Sequence, residues 1–103
     1  MTKKAGKEPS DLLYESILSL KDLEEWKEFF QDLCTVAELR AMEQRFEVAL
    51  LLSDGMIYND ILERTGASSA TISRVNRALH YGANGYQRVL PRVKALRRQE
   101  DGT

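Results

Sequence analysis

M-I-Y-N-D-I-L-E-R-T-G-A-S-S-A-T-I-S-R-V-N-R-A-L, residues 56–79, holds two short apolar periodicities on either side of a turn. Over 57–64, Ile57, Ile61 and Leu62 share one helical face; over 69–79, Ile72, Val75 and Leu79 do the same. Thr65-Gly66-Ala67 separates them. Glycine takes a positive φ without a Cβ clash, so Gly66 can end the first helix abruptly. Ser68 stands where the second helix needs an N-cap. Two short helices joined by a tight turn predict a helix-turn-helix near 56–79, in which the first helix crosses the DNA backbone and the second enters the major groove.

The residue types on the second helix suit that task. Ser69, Ala70 and Ser73 are short enough for a close backbone approach, and Thr71 offers both a methyl and a hydroxyl. Arg74 and Arg77, three apart, can reach phosphates or guanine edges. On the first helix Tyr58 and Asn59 can bond to phosphate or base edges. Asp60 and Glu63 would be repelled by a duplex unless they face away or pair with Arg64. The expected DNA contacts are therefore Tyr58, Asn59, Ser68, Ser69, Ala70, Thr71, Ser73, Arg74 and Arg77. Each also has an ordinary explanation: Ser68 caps a helix whatever the function, and arginines often stand in solvent.

Upstream, residues 1–9 read as a flexible polar tail. Ser10 is the expected cap of a helix over 11–19, with Leu13, Ile17 and Leu20 as its stripe. A second helix is expected over 22–33, carrying Leu23, Trp26, Phe30 and Leu33, with Asp22, Glu24 and Glu25 favouring its dipole. Thr35 and Glu38 form a T-x-x-E capping box for a helix over 36–52. Its core face is expected to carry Leu39, Met42, Phe46, Ala49 and Leu50, broadened by Ala41, Val48, Leu51 and Leu52; Ser53-Asp54-Gly55 stops it. Downstream, Val89, Leu90, Val93 and Leu96 are the expected core set of a last helix within 84–98. Arg92, Lys94, Arg97 and Arg98 face solvent, and Pro91 forces a kink or a late start. Residues 99–103 read as a second flexible tail. The fold class is all-α, one helical domain over 10–98.

The 103 residues suit one domain, and a hydrophobic content of 43% allows a core, although so small a domain buries only part of its surface and can gain from a second copy. Net charge is −1, but its distribution is uneven. Residues 1–54 carry 12 Asp or Glu against 7 Lys or Arg, whereas 55–103 carry 4 against 8. The basic half is the one holding the paired short helices, which favours a polyanion there; Arg88, Arg92, Lys94, Arg97 and Arg98 can add to affinity by counterion release. No apolar run is long enough to span a bilayer, and the lysines at the amino end have no apolar segment behind them, so a cytoplasmic protein with no membrane partner is expected.

Catalytic and metal chemistry find no support. Cys34 and His80 are the only residues of their types, too few for a common zinc set. Neither a P-loop nor a dinucleotide fingerprint is present. The expectation is no enzyme, no catalytic residue, no metal and no cofactor.

Three runs carry a resemblance: L-C-T-V-A-E-L-R-A-M-E-Q-R-F-E-V-A-L-L-L at 33–52, T-G-A-S-S-A-T-I-S-R-V-N-R-A-L at 65–79 and Y-G-A-N-G-Y at 81–86. Together they resemble the Trp repressor superfamily, and within it the YerC/YecD, or TrpR-related, family. The resemblance implies a six-helix fold, an intertwined twofold homodimer built by the amino-terminal helices, and two reader helices set one helical turn apart, roughly 34 Å. It also implies a remnant corepressor pocket involving Thr35, Arg45, Arg74, Val75 and Ala78. Where the repressor has a glycine after the reader-helix arginine, this chain has Val75, which pushes into the indole space; Ala78 replaces a serine that helps hold the amino group. These two departures argue against tryptophan as a ligand. The sequence thus predicts a double-stranded-DNA-binding transcriptional regulator, a repressor acting as a homodimer. The alternatives are a helical protein-interaction module without DNA binding and a ligand-responsive repressor.

Overall fold

The computed structural model describes residues 8–102, so the expected tail lies outside the described residues up to position 7. The described residues form six α-helices and no strand: α1 (Pro9–Leu18), α2 (Leu23–Leu33), α3 (Val36–Ser53), α4 (Tyr58–Thr65), α5 (Ser69–Tyr81) and α6 (Gly85–Gly102). The chain divides into two compact units, meeting in sequence between Leu39 and Arg40.

The first unit contains α1, α2 and the first turn of α3. α1 begins at Pro9, ahead of the Ser10 cap expected from sequence. Proline suits the first helical position, where its missing N–H has no intrahelical partner to lose. Asp22 proves to be the N-cap of α2 rather than part of its first turn, its carboxylate accepting from the Glu25 backbone N–H at 2.9 Å. Glu25 reciprocates by accepting from the Lys21 N–H at 2.9 Å. The T-x-x-E box forms as expected: Thr35 Oγ1 accepts from the Glu38 N–H at 3.0 Å, and Glu38 Oε1 accepts from the Thr35 N–H at 2.8 Å. Trp26 stacks on Phe30, and Phe29 meets Phe30 edge-on, both at 5.7 Å between centroids. No residue of α1 or α2 is buried.

The second unit has its own core. Val48, Ala49 and Leu51 of α3, Ile61 of α4, Ala67 of the turn, Ile72 and Val75 of α5, and Leu90 of α6 are buried, flanked by Phe46, Leu62, Leu79 and Tyr86 among others. Val48 and Leu51, which the sequence pattern treats as broadening residues, are thus central. Leu50, expected on the core face, is only half-buried. In α6 the expected core set reduces to Leu90; Val93 is half-buried, while Val89 and Leu96 are exposed.

α6 also corrects two expectations. It starts at Gly85, ahead of Pro91, so the late start does not occur, and it extends to Gly102, past the boundary at 98. Pro91 denies a hydrogen bond to the carbonyl of Gln87, but both residues are exposed, so water can reach the freed oxygen. Lys94 does not simply face solvent: it pairs with Asp54 at 3.1 Å and donates to Ser53 Oγ at 2.5 Å, tying α6 to the end of α3.

Candidate nucleic-acid interface

α4 and α5 pack directly on one another within the second unit. α4 closes on Gly66, which has a φ of 72° and donates its N–H to the Leu62 carbonyl at 3.0 Å. No heavy atom lies within 4 Å of where a Cβ would sit, so the requirement for glycine is backbone conformation rather than crowding. Thr65 fastens the same turn from within. Its Oγ1 donates to the Ile61 carbonyl at 2.7 Å and accepts from the Ala67 N–H at 3.0 Å. Gln44 of α3 donates its side-chain amide to the Thr65 carbonyl at 3.2 Å, which anchors the turn to the central helix. Neither Thr65 nor Gln44 is prominent in the sequence, because a contact spanning 21 residues has no local signature.

Ser68 caps α5, accepting from the Thr71 N–H at 3.1 Å, as its position predicts. Ile72 and Val75 then turn into the core beside Ile61, and that burial fixes the rotation of α5. Ser69, Ala70, Ser73, Arg74 and Arg77 are left exposed on the other side, with Thr71 half-buried. α5 carries no acidic residue, and neither Arg74 nor Arg77 makes an ion pair among the described residues. The exposed face of α5 therefore combines small side chains with two free guanidinium groups. On α4, Tyr58 and Asn59 are exposed at the start of the helix. Asp60 and Glu63 are exposed too, and no pairing of either with Arg64 forms among the described residues.

Two open clefts flank this face. One, of ≈ 560 Å³, is lined by Tyr58, Ser73, Asn76, Arg77, His80 and Tyr81. The other, of ≈ 270 Å³, lies between α3 and α5 and is lined by Ala41, Gln44, Arg45, Ala70, Thr71 and Arg74. The second brings Arg45 and Arg74 together but not the rest of the expected ligand pocket. Val75 is buried in the core, Ala78 lines a separate cleft with Tyr86 and Val89, and Thr35 is occupied in its capping box. Asn76, His80 and Tyr81 are absent from the expected contacts; Asn76 lies three residues after Ser73 and beside Arg77 on α5, and His80 and Tyr81 enter because α5 runs two residues beyond its expected end at 79.

Among the described residues no group of three or more His, Cys, Asp or Glu could hold a metal ion. No helix among them is long and apolar enough to cross a membrane.

Comparison with known proteins agrees with this architecture. A model of the Trp repressor protein family matches residues 8–94. YerC of Bacillus subtilis (strain 168) is 56% identical over 89 residues, covering 86% of this chain and 85% of YerC. The crystal structure of a TrpR-like protein from Eubacterium eligens ATCC 27750 has a TM-score of 0.78 at 55% identity, covering 82% of this chain and 87% of that one. A candidate Trp repressor from Staphylococcus aureus has a TM-score of 0.79 at 44% identity, covering 82% and 85%. With a family match over most of its length and relatives this similar, the chain belongs to the Trp repressor family of non-catalytic DNA-binding regulators.

Proposed function

We propose that this protein is a sequence-specific regulator of transcription that binds double-stranded DNA as an intertwined homodimer and acts as a repressor in the cytoplasm. The observation that carries this reading is the division of α5 into two sides. Ile72 and Val75 are buried, while Ser69, Ala70, Ser73, Arg74 and Arg77 stand exposed with no acidic residue among them.

The dimer draws support from the first unit. Leu12, Tyr14, Leu18, Leu23, Leu33 and Val36 are each at least half exposed, and Trp26 is 38% exposed. Large apolar side chains exposed in this number favour a surface that a partner covers. The experiment is selection of duplexes from a random pool by the full chain. The expected product is a twofold motif whose half-sites lie one helical turn apart, roughly 34 Å. Failure to enrich any duplex at low salt, with tight capture of a protein instead, would favour the interaction-module alternative.

Binding without tryptophan follows from Val75, whose side chain is part of the core, and from Ala78, which lies away from the Arg45–Arg74 cleft. Calorimetry with tryptophan should show no heat of binding and no change in DNA affinity. A ligand-responsive repressor remains a second reading on one observation: Arg45 and Arg74 line a single cavity, and neither makes an ion pair among the described residues.

A further inference from the structure

We infer that the cleft between the start of α4 and the second half of α5 seats a backbone phosphate of duplex DNA, leaving base readout to the first half of α5. The inference rests on the DNA-binding reading above and assigns Asn76, Tyr81 and His80 roles beside Tyr58, Ser73 and Arg77. Both helices contribute to the cleft: Tyr58 from α4, the other five from α5. Its lining offers hydroxyls from Tyr58, Ser73 and Tyr81, the Asn76 amide and the Arg77 guanidinium, with no carboxylate. Arg77 makes no ion pair among the described residues, so its charge is available to an anion. A phosphate oxygen accepts from all of these donors, and a guanidinium can meet two such oxygens at once.

Helix geometry says which part of the duplex arrives here. A reader helix enters the major groove with its first residues. At about 1.5 Å per residue, Arg77 lies roughly 12 Å along the axis from Ser69, more than the groove's depth of about 8.5 Å. Residues this late on a helix entering at an angle reach the rim, where the phosphates lie, and Tyr58 approaches the same rim from the helix that crosses the backbone. His80 serves as a positioning wall. Its Nδ1 lies 2.9 Å from the Asn76 carbonyl, an oxygen that only accepts, so Nδ1 donates and the ring is held against the helix.

The test uses the full chain, the duplex selected from the random pool and a mixed-sequence duplex, with affinity measured across a range of salt. Arg77→Ala is expected to weaken binding to both duplexes by the same factor, roughly tenfold. It should also lower the slope of log K against log salt by about 0.9 per half-site, the value for one phosphate. Arg77→Lys should restore the slope, because a point charge suffices. Asn76→Ala should weaken both duplexes alike and leave the slope unchanged. Replacing single phosphates with neutral methylphosphonates should reveal one position per half-site at which Arg77→Ala no longer matters. A changed base preference in Arg77→Ala with an unaltered slope would overturn the assignment and place Arg77 on a base. Equal affinity and slope in the variant and the unchanged chain would overturn it as well. If the unchanged chain binds no duplex, this inference falls together with the reading beneath it; the other adverse outcomes overturn the inference alone.

Discussion

The two units of the chain treat their apolar residues in opposite ways. In the second, eight residues from α3 to α6 form a buried cluster. In the first, no residue of α1 or α2 is buried; their leucines, Tyr14 and Trp26 stay exposed, with Phe29 and Phe30 half-buried. Hydrophobic residues occur in both, so composition is not the difference. The second unit has four helical segments and a turn that can enclose one another; the first has two helices and one further turn, too little material to close a core. The contrast teaches that one part of the chain encloses its own core, while the other leaves apolar side chains open, which is the surface that the proposed dimer would cover.

The strongest way to break the comparison is to empty the closed core. Ile72→Ala removes a side chain with no exposure and should cost about 2–5 kcal/mol in urea unfolding, lost from the second unit first. Next is a charge on the open face. Leu18, 83% exposed in one copy, is expected to lie in the dimer seam. Leu18→Asp should forfeit about 1.5–3 kcal/mol of burial per copy and shift sedimentation from dimer to monomer. If Leu18 instead stays in solvent, neither stability nor mass will change. A smaller effect belongs to the turn. Gly66→Ala should lose about 1–2 kcal/mol, read as a lower midpoint of thermal unfolding, because its φ of 72° penalises a Cβ although space for one exists. Smallest is Lys94→Ala. The pair with Asp54 is partly exposed, so the loss should stay below about 1 kcal/mol and shrink further in high salt.

Several features of this division could be read residue by residue. The T-x-x-E box at Thr35 and Glu38, the left-handed glycine at 66 and the cap at Ser68 all form between neighbours no more than four positions apart. Others could not. The helical stripe marks Leu39 and Met42 ahead of Val48 and Leu51, but only the latter two are buried. Pro91 looks like a break because propensity counts a lost hydrogen bond; it does not count a carbonyl that water can reach. The expected ligand pocket gathers five residues from a resemblance, and only Arg45 and Arg74 of them share a cavity.

Local chemistry accounts for where the helices of this protein start, where most of them stop, and which face of α5 carries small and basic side chains. Those outcomes depend on φ, on caps and on a 3.6-residue period, all of which are written in adjacent residues. Long-range packing accounts for the Gln44–Thr65 anchor, the Lys94–Asp54 tie, and the meeting of Tyr58 with Arg77 and Tyr81 around one cleft. These join positions 19 to 40 residues apart, and whether such groups meet depends on how whole helices settle against a shared core, which no neighbouring residue can encode.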